Sequence, residues 1–578
     1  MVERILIMSL TRMGDLVQAT PLISGLRRKY PKAKITLMVS SDFASFVPNI
    51  PDIDDSLVLD MRQFTRKDSG QTLTWVVVYR YLESFLEDVK ARRFDLAVNL
   101  SHSKLSALMI LFLGIKKVCG FLCNEMGERM TEHPWMQYFG TEPFNRVYNP
   151  FNLVEIFTRA GDVRPEDQRI RIQVPEETPS TLAEALDREK ITEGDLLIGI
   201  QAGSSLENRR WPAHYFAELA DSLIRDLNAR IVLFGVASES PLAEEICRLS
   251  TEREGIVDLT GKTGIPQLIG WVGRCRYLVT NDTGTMHIAA ALGTKIVGLF
   301  FAHAHPYETG PYSPGHVLFQ ARIACAPCSY GVQCNNIVCI HKVQPHHVNA
   351  MIQKHIKEDA WSLPEDMGPL NEMNIFETRY GSDDRLALRP LIQHPIQLDD
   401  VFRWAYSRLW LESLGKNAPH GDVEIETLWL DHDCERVAEV LAPLQKKVAV
   451  LDDLDRLCRE GMKATGSLLR FLRTGPSQKN MQTLAEEITR VDERMELAAC
   501  AHPEVKPVVD LFAKRKENFQ GEDVVRLAGD SLRCYEQMRE ELAKLTQLLN
   551  AVVKGFGSTG FKENQAGADS IKALVPGR

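Results

Sequence analysis

Residues 278–300 read LVTNDTGTMHIAAALGTKIVGLF, a polar run of Asn, Asp, Thr, Gly, Thr, Met and His set between two apolar segments. Residues 276–280 have the composition of a short buried strand, 287–292 that of a small-residue helix, and 295–301 that of a second strand. Strand, tight loop, helix, strand is the unit of a parallel sheet. The polar loop then lies at the carboxyl end of a strand and the amino end of a helix. Unpaired backbone N–H groups and the helix dipole suit such a place to an anion, most often a phosphate. A purely structural reading is also open, with Asp282 and Thr283 capping the helix and Gly284 making the turn.

Working outward, the same alternation runs through the first 350 residues. Strand-like segments at 4–10, 35–39, 57–59 and 96–100, with a helical period over 16–30 carried by Leu16, Leu22, Ile23 and Leu26, make one doubly wound half. The polar stretch VPEETPSTLAEALDREKITEGD (174–195) separates it from a second half, with strands at 196–200, 229–234, the opening segment and 295–301. The fold class is therefore α/β, built of two Rossmann-like domains at 1–185 and 186–358. Beyond residue 358 the loop-like WSLPEDMGPLNEMN leads into helical spacing: Val437, Val440, Leu441, Leu444, Val448 and Leu451, then Leu484, Ile488, Val491 and Met495. Tyr535, Met538, Leu542, Leu545, Leu549 and Val552 form a heptad stripe too short to define a coiled coil, which points to a helical bundle over 359–553. The Gly-rich, polar residues 554–578 read as a disordered tail. A chain ending near residue 358 is expected to fold by itself.

At 578 residues the chain exceeds one ordinary domain. Its 44% hydrophobic and 25% charged residues and net charge of −9 give no reason to expect a nucleic-acid partner. The apolar run at the N-terminus is too short for a signal peptide, and the longest apolar run, 107–114, is too short to span a bilayer, so a cytoplasmic location is expected. Most of the twelve cysteines are scattered, as expected of reduced thiols. Cys325-x2-Cys328-x5-Cys334-x4-Cys339 is spaced superficially like a structural zinc site, but a set of structural thiols or a disulfide-prone loop is the preferred reading.

A second stretch, RILIMSLTRMGDLVQATPLISGLRRKYP, sets Gly14-Asp15 at the first strand-to-helix turn, followed by Thr20-Pro21, Leu26-Arg27 and Pro31. By itself Asp15 would serve as a helix N-cap. Together with FDLAVNLSHSKLSA (94–107), AGSSLENRRWP (202–212), LTGKTGIPQLIGWVGRCRYLVTNDTGTMHIAAALG (259–293) and CAPCSYGVQCNNIVCIHKV (325–343), it resembles glycosyltransferase family 9, the lipopolysaccharide heptosyltransferases. The resemblance covers residues 1 to about 355, five motifs in order.

This resemblance implies a GT-B fold with acceptor and donor on opposite walls of a cleft, and inverting transfer of heptose from ADP-heptose to a lipopolysaccharide core acceptor. Asp282, Thr283, Gly284 and His287 would surround the donor diphosphate, Arg210 would add positive charge, and Glu239 would take the nucleoside ribose. Asp15 would be the base on the acceptor hydroxyl, with His102 the next candidate. Ser103 and Lys104 would face a lipid-linked saccharide acceptor. The resembling enzymes need neither metal nor cofactor, so activity is expected to survive chelation. Peripheral attachment to the inner membrane would let Arg27, Arg28, Lys29, Lys32 and Lys34 meet lipid phosphates, although the same residues suit a solvated helix end. Two other readings stay open: a different nucleotide sugar or acceptor, or a catalytically idle glycosyltransferase-like scaffold whose helical region is functional.

Overall fold

Strand β1 (Arg4–Ser9) is buried over five of its six residues, because both faces of a parallel sheet are covered, and this accounts for its unbroken apolar run. Beside it lie β2 (Lys34–Ser40), β3 (Asp55–Leu59), β6 (Leu96–Asn99), β7 (Lys117–Cys123) and β8 (Arg129–Thr131), in the order β3-β2-β1-β6-β7-β8. All pairs are parallel except β7–β8. A small hairpin, β4 (Lys67–Asp68) with β5 (Gln71–Thr72), stands apart from the sheet. The molecule is described from a computed structural model, over residues 2–64, 67–68, 71–72, 75–141, 145–163, 169–381, 383–415, 425–474 and 478–557.

The second sheet contains β9 (Leu197–Gln201), β10 (Arg230–Phe234), β11 (Ile256–Asp258), β12 (Tyr277–Asn281), β13 (Lys295–Phe300), β14 (Val317–Ala321), β15 (Met373–Tyr380) and β16 (Leu386–Pro390). Its order is β11-β10-β9-β12-β13-β14-β15-β16. The strand order reverses between β1 and β6 in one sheet and between β9 and β12 in the other. In open α/β sheets a ligand sits outside the carboxyl ends at such a reversal, so the loops after β1, β9 and β12 are the places to look.

Two expectations need revision. The helical period over 16–30 is split into helices Met13–Gln18 and Thr20–Lys29, with Ala19 between them and Pro21 inside the first turn of the second, where its missing N–H costs nothing. The region expected to be helical from 359 opens instead with β15 and β16. Strand β15 pairs antiparallel along β14 from Val317↔Glu377 to Ala321↔Met373, so the sheet runs past the expected boundary at 358. The chain accordingly divides into residues 1–136 with 151–392, and residues 137–150 with 393–578.

Inside the first unit, Arg385 grips the buried Glu155 through two nitrogens, 2.9 and 3.1 Å from the two carboxylate oxygens, and the Tyr312 hydroxyl donates to the same carboxylate. Removing either partner would leave a buried charge without compensation. The second unit is built on helices Leu398–Ser413, Ala438–Thr474, Gln478–Ala501, Lys506–Glu517 and Val524–Gly557. The whole stripe from Tyr535 to Val552 read from the sequence is buried, at 1% exposure or less. Residues 137–150 join this unit: Tyr138 packs on Trp410, Asn145 donates to Asp510, and Arg403 donates to the Val147 carbonyl. The last helix reaches Gly557, inside the tail expected from 554, and 558–578 lie outside the described residues.

Candidate active site

The loop after β1 delivers Asp15 into the first turn of helix Met13–Gln18. Arg12 holds the N-cap position and no side chain caps this helix, so Asp15 is not the cap it would be on local grounds. Its Oδ2 accepts a 2.7 Å hydrogen bond from the Thr11 hydroxyl. Burial raises the Asp15 pKa above the ordinary carboxylate range; the Thr11 hydrogen bond and the Arg12 charge pull it back, and the charge of Asp282 raises it further. A carboxylate so treated holds a proton more readily, as a general base must.

That influence of Asp282 means the two halves meet here. A side-chain carbon added at Gly14 would lie 3.0 Å from His287 Cδ2 and 3.5 Å from Gly284 Cα, and one added at Gly284 would lie 2.7 Å from Met13 Cε. Glycine at both positions lets helix Met13–Gln18 approach helix Gly284–Leu292 backbone to backbone. His287 is 3% exposed beneath this contact, its Nδ1 has no partner among the described residues, and burial holds its pKa at about 4. The ring is therefore neutral near pH 7.

Helix Gly284–Leu292 starts at Thr283 without a side-chain cap. Thr283 pairs instead with the Thr280 hydroxyl at 3.1 Å, and Asp282 turns away to an ion pair with Arg209, 2.5 Å and almost fully buried, and to the Thr309 hydroxyl at 2.9 Å. The capping reading of this loop is thus not realised, and the first N–H groups of the helix are left to other acceptors. Asp282 braces the loop rather than pointing into open space. Arg210, expected to carry the positive charge, donates from Nε to the Ser204 carbonyl at 2.9 Å and keeps part of its surface open.

Glu239 lies over the ends of β9 and β10. Its carboxylate accepts from Gln201 Nε2 at 3.1 Å and from the Val236 N–H at 3.0 Å, while Gln201 Oε1 accepts from Thr285 at 3.2 Å. A side-chain carbon at Gly203 would overlap the Glu239 carboxylate, so glycine lets that carboxylate lie directly against the loop after β9. A crevice lined by Ala202, Gly203, Phe234, Glu239, Leu242 and Thr260 opens beside it. Asn281 ties the loops together, donating to the Ala202 carbonyl and accepting from the Trp211 N–H. Arg209, Gln201 and Asn281 were not singled out in the sequence; an Arg next to the expected Arg210 and polar residues ending two apolar strands were the available signals.

On the acceptor side, Ser103 is the N-cap of helix Lys104–Leu113, accepting from the Ser106 N–H, and Lys104 is exposed at its first position. Arg129 Nη2 lies 3.5 Å from His102 Nδ1. Crowding in the cleft, then the charges of Arg129 and Arg12, push His102 well below its usual range, so the ring is neutral at pH 7 even though one edge meets solvent. Of the basic residues expected to meet lipid phosphates, Arg27 and Lys34 are paired with Asp54 and Asp55. The cysteines at 325, 328, 334 and 339 are all free thiols, and among the described residues no three His, Cys, Asp or Glu side chains converge as metal ligands.

Residues 82–336 match the family model for glycosyltransferase family 9 (heptosyltransferase). Lipooligosaccharide heptosyltransferase 2 of Haemophilus influenzae is 25% identical over 320 residues, 54% of this chain and 86% of that protein. Lipopolysaccharide heptosyltransferase 2 of Escherichia coli K12 is 26% identical over 318 residues, 54% and 84% of the two chains. The crystal structure of the glycosyl transferase family 9 protein from Veillonella parvula superposes with a TM-score of 0.51 at 21% identity, covering 62% of this chain and 98% of that one. The sheet order and these matches agree on a glycosyltransferase family 9 (heptosyltransferase) domain over residues 82–336, in a chain with a GT-B-like pair of sheets and a helical C-terminal region.

Proposed function

We propose that the enzyme transfers heptose from ADP-heptose to a lipid-linked core saccharide with inversion at the anomeric carbon, and that Asp15 is its base. The observation that carries this reading is the close approach of Gly14 to His287 and Gly284, which brings Asp15, in the helix after β1, to the loop after β12 that holds Asp282, in surroundings that raise the Asp15 pKa. Asp15 takes the proton of an acceptor hydroxyl; the hydroxyl oxygen attacks the anomeric carbon from the face opposite the leaving group; the carbon–oxygen bond to the diphosphate breaks and ADP departs with the electron pair. The uncapped N-terminus of helix Gly284–Leu292 and Arg210 receive the growing phosphate charge. Glu239, over the ends of β9 and β10, takes the nucleoside ribose, and Thr283, Gly284 and the Arg209–Asp282 brace fix the loop's shape.

Lys104, Arg12 and Arg129 give the acceptor side a positive edge, which suits an anionic saccharide such as a phosphorylated or carboxylated core. The names of the similar proteins, heptosyltransferases of lipopolysaccharide and lipooligosaccharide, support the sugar and the acceptor class. No helix among the described residues is long and apolar enough to cross a membrane, so such an acceptor is reached from the side of the bilayer. The test is release of ADP from ADP-heptose with and without extracted core lipid, in the presence of excess chelator. Acceptor-dependent release that survives chelation supports the assignment. Release only with another nucleotide sugar would move the assignment to that donor.

A further inference from the structure

Helix Lys104–Leu113 buries Ala107, Met109, Ile110 and Leu113 against the first sheet. Its outer face is apolar as well: Leu108, Leu111 and Phe112 are 40%, 38% and 37% exposed. Spaced by three, four and one, they form one stripe on the solvent side of the helix, where polar residues ordinarily stand. The charges carried by the helix itself and by the loop after it have one sign, while the neighbouring helix Trp75–Ala91 exposes Glu83, Glu87 and Asp88 as well as Lys90. Between Asp95 and Glu125 the chain has no acidic residue, while Lys104, Lys116 and Lys117 are all exposed. Lys90, from the neighbouring helix, places its ammonium 4.7 Å from the centre of the Phe112 ring.

An apolar stripe with Lys104 at one end, Lys116 and Lys117 at the other and Lys90 against Phe112 matches a bilayer surface with anionic headgroups: the stripe enters the boundary between headgroups and acyl chains and these ammonium groups meet phosphates. The helix also begins at Ser103 and Lys104, on the acceptor side of the cleft, so a bilayer held against it lies beside the place where a lipid-linked saccharide must enter. We propose that the Leu108–Leu111–Phe112 face docks the enzyme on an anionic membrane and presents the acceptor wall of the cleft to it. This rests on the reading of a lipid-linked acceptor given above.

The experiment is co-sedimentation of the full chain with vesicles of phosphatidylcholine alone and of phosphatidylcholine mixed equally with phosphatidylglycerol, each at low and high salt. The wild type should sediment with the mixed vesicles, less so in high salt, and not with the neutral ones. Leu108→Ser/Leu111→Ser/Phe112→Ser and, separately, Lys116→Glu/Lys117→Glu should each weaken this binding by about tenfold while melting like the wild type. Sugar transfer to a delipidated acceptor in solution should be unchanged in both, and transfer to vesicle-embedded lipid should fall. Wild-type protein that ignores the mixed vesicles, or variants that bind them as well as wild type, would overturn the proposal. So would a wild-type dimer that the serine variant dissociates without loss of vesicle binding, since a second copy would then cover the stripe. Vesicle binding without transfer to any lipid acceptor would leave the docking face standing and sink the functional reading instead.

Discussion

Asp15 receives one hydrogen bond, from Thr11, and its burial outweighs that bond, so its native pKa stands above the value near 3.8 of an unfolded chain. Between those two values the folded protein binds more protons than the unfolded one, and stability therefore falls as pH rises through the window. Asp15→Asn should accordingly melt at a higher temperature than wild type at pH 7. The same change removes the base, so turnover should drop by about 10²–10⁴ with the affinity for ADP-heptose nearly unchanged. The wild-type rate should decline on its acid side at a higher pH than an ordinary carboxylate would give, and full activity in the Asn variant would send the search to His102. His287 runs the other way. Its pKa near 4 is below the usual 6.5, so stability is complete above about pH 6.5 and is lost as pH falls toward 4, by roughly 3 kcal/mol at 1.36 kcal/mol per unit. Stability measured by denaturant titration from pH 7 to 4 should flatten in His287→Gln; an unchanged slope would remove His287 as the source. The local sequence set Asp15 at a strand-to-helix turn but read it as an N-cap; its role as base came from the family resemblance, because a carboxylate's chemistry is decided by groups brought to it from elsewhere in the chain. Arg209 was not legible, since its partner Asp282 lies 73 residues away and the neighbouring Arg210 is locally its equal.

Elements were readable where one face of the pattern decides the matter. The strand β12 and the helix after it, and the stripe from Tyr535 to Val552, stand where periodicity puts them because each is buried along a single continuous core. Strands β7, β8, β11, β14 and β16 escaped although Gly114, Gly255 and Pro314-Gly315 mark turns before three of them, and β15 reads MNIFETRY, too polar to suggest a strand paired on both sides. Within the long helix Ala438–Thr474, two glycines test how packing and propensity compete. A side-chain carbon at Gly461 would sit 2.4 Å from the Tyr535 ring, and that ring is held by its hydroxyl's hydrogen bond to Asp492. At Gly466 there is open space. Replacing a helical Gly by Ala gains about 1 kcal/mol of propensity, whereas overpacking costs about 1–3 kcal/mol. Gly466→Ala should raise the melting temperature and Gly461→Ala should lower it, and a rise in both would mean that the Tyr535 ring yields freely.

The composition shift near residue 358 marks a change of chain character, but the structural boundary follows hydrogen bonds, and those continue through β16 to Pro390. An added antiparallel hairpin at a sheet edge leaves little trace in periodicity, because its pairing partner, β14, is more than fifty residues earlier. Residues 137–150 were also opaque: they sit inside the first half by sequence yet pack with the helical unit, and only their aromatic residues, Tyr138, Phe139 and Tyr148 among those described, hint at a buried surface. These two facts decide where the chain can be cut. A chain ending at 358 loses β15 and β16, exposing the edge of β14 together with Phe319 and Leu318, both fully buried in the intact protein. Such a chain should be insoluble. A chain ending at Ile392 keeps the complete sheet but strips the cover from the 137–150 segment, whose tyrosines then meet water. With Tyr138→Ser and Tyr148→Ser added, residues 1–392 should give a monodisperse protein with a single cooperative melting transition, measured by size-exclusion chromatography and calorimetry. A soluble, cooperatively melting chain of 358 residues would show that the hairpin is dispensable, and an aggregated 1–392 double variant would show that the helical unit is needed for the first unit to fold.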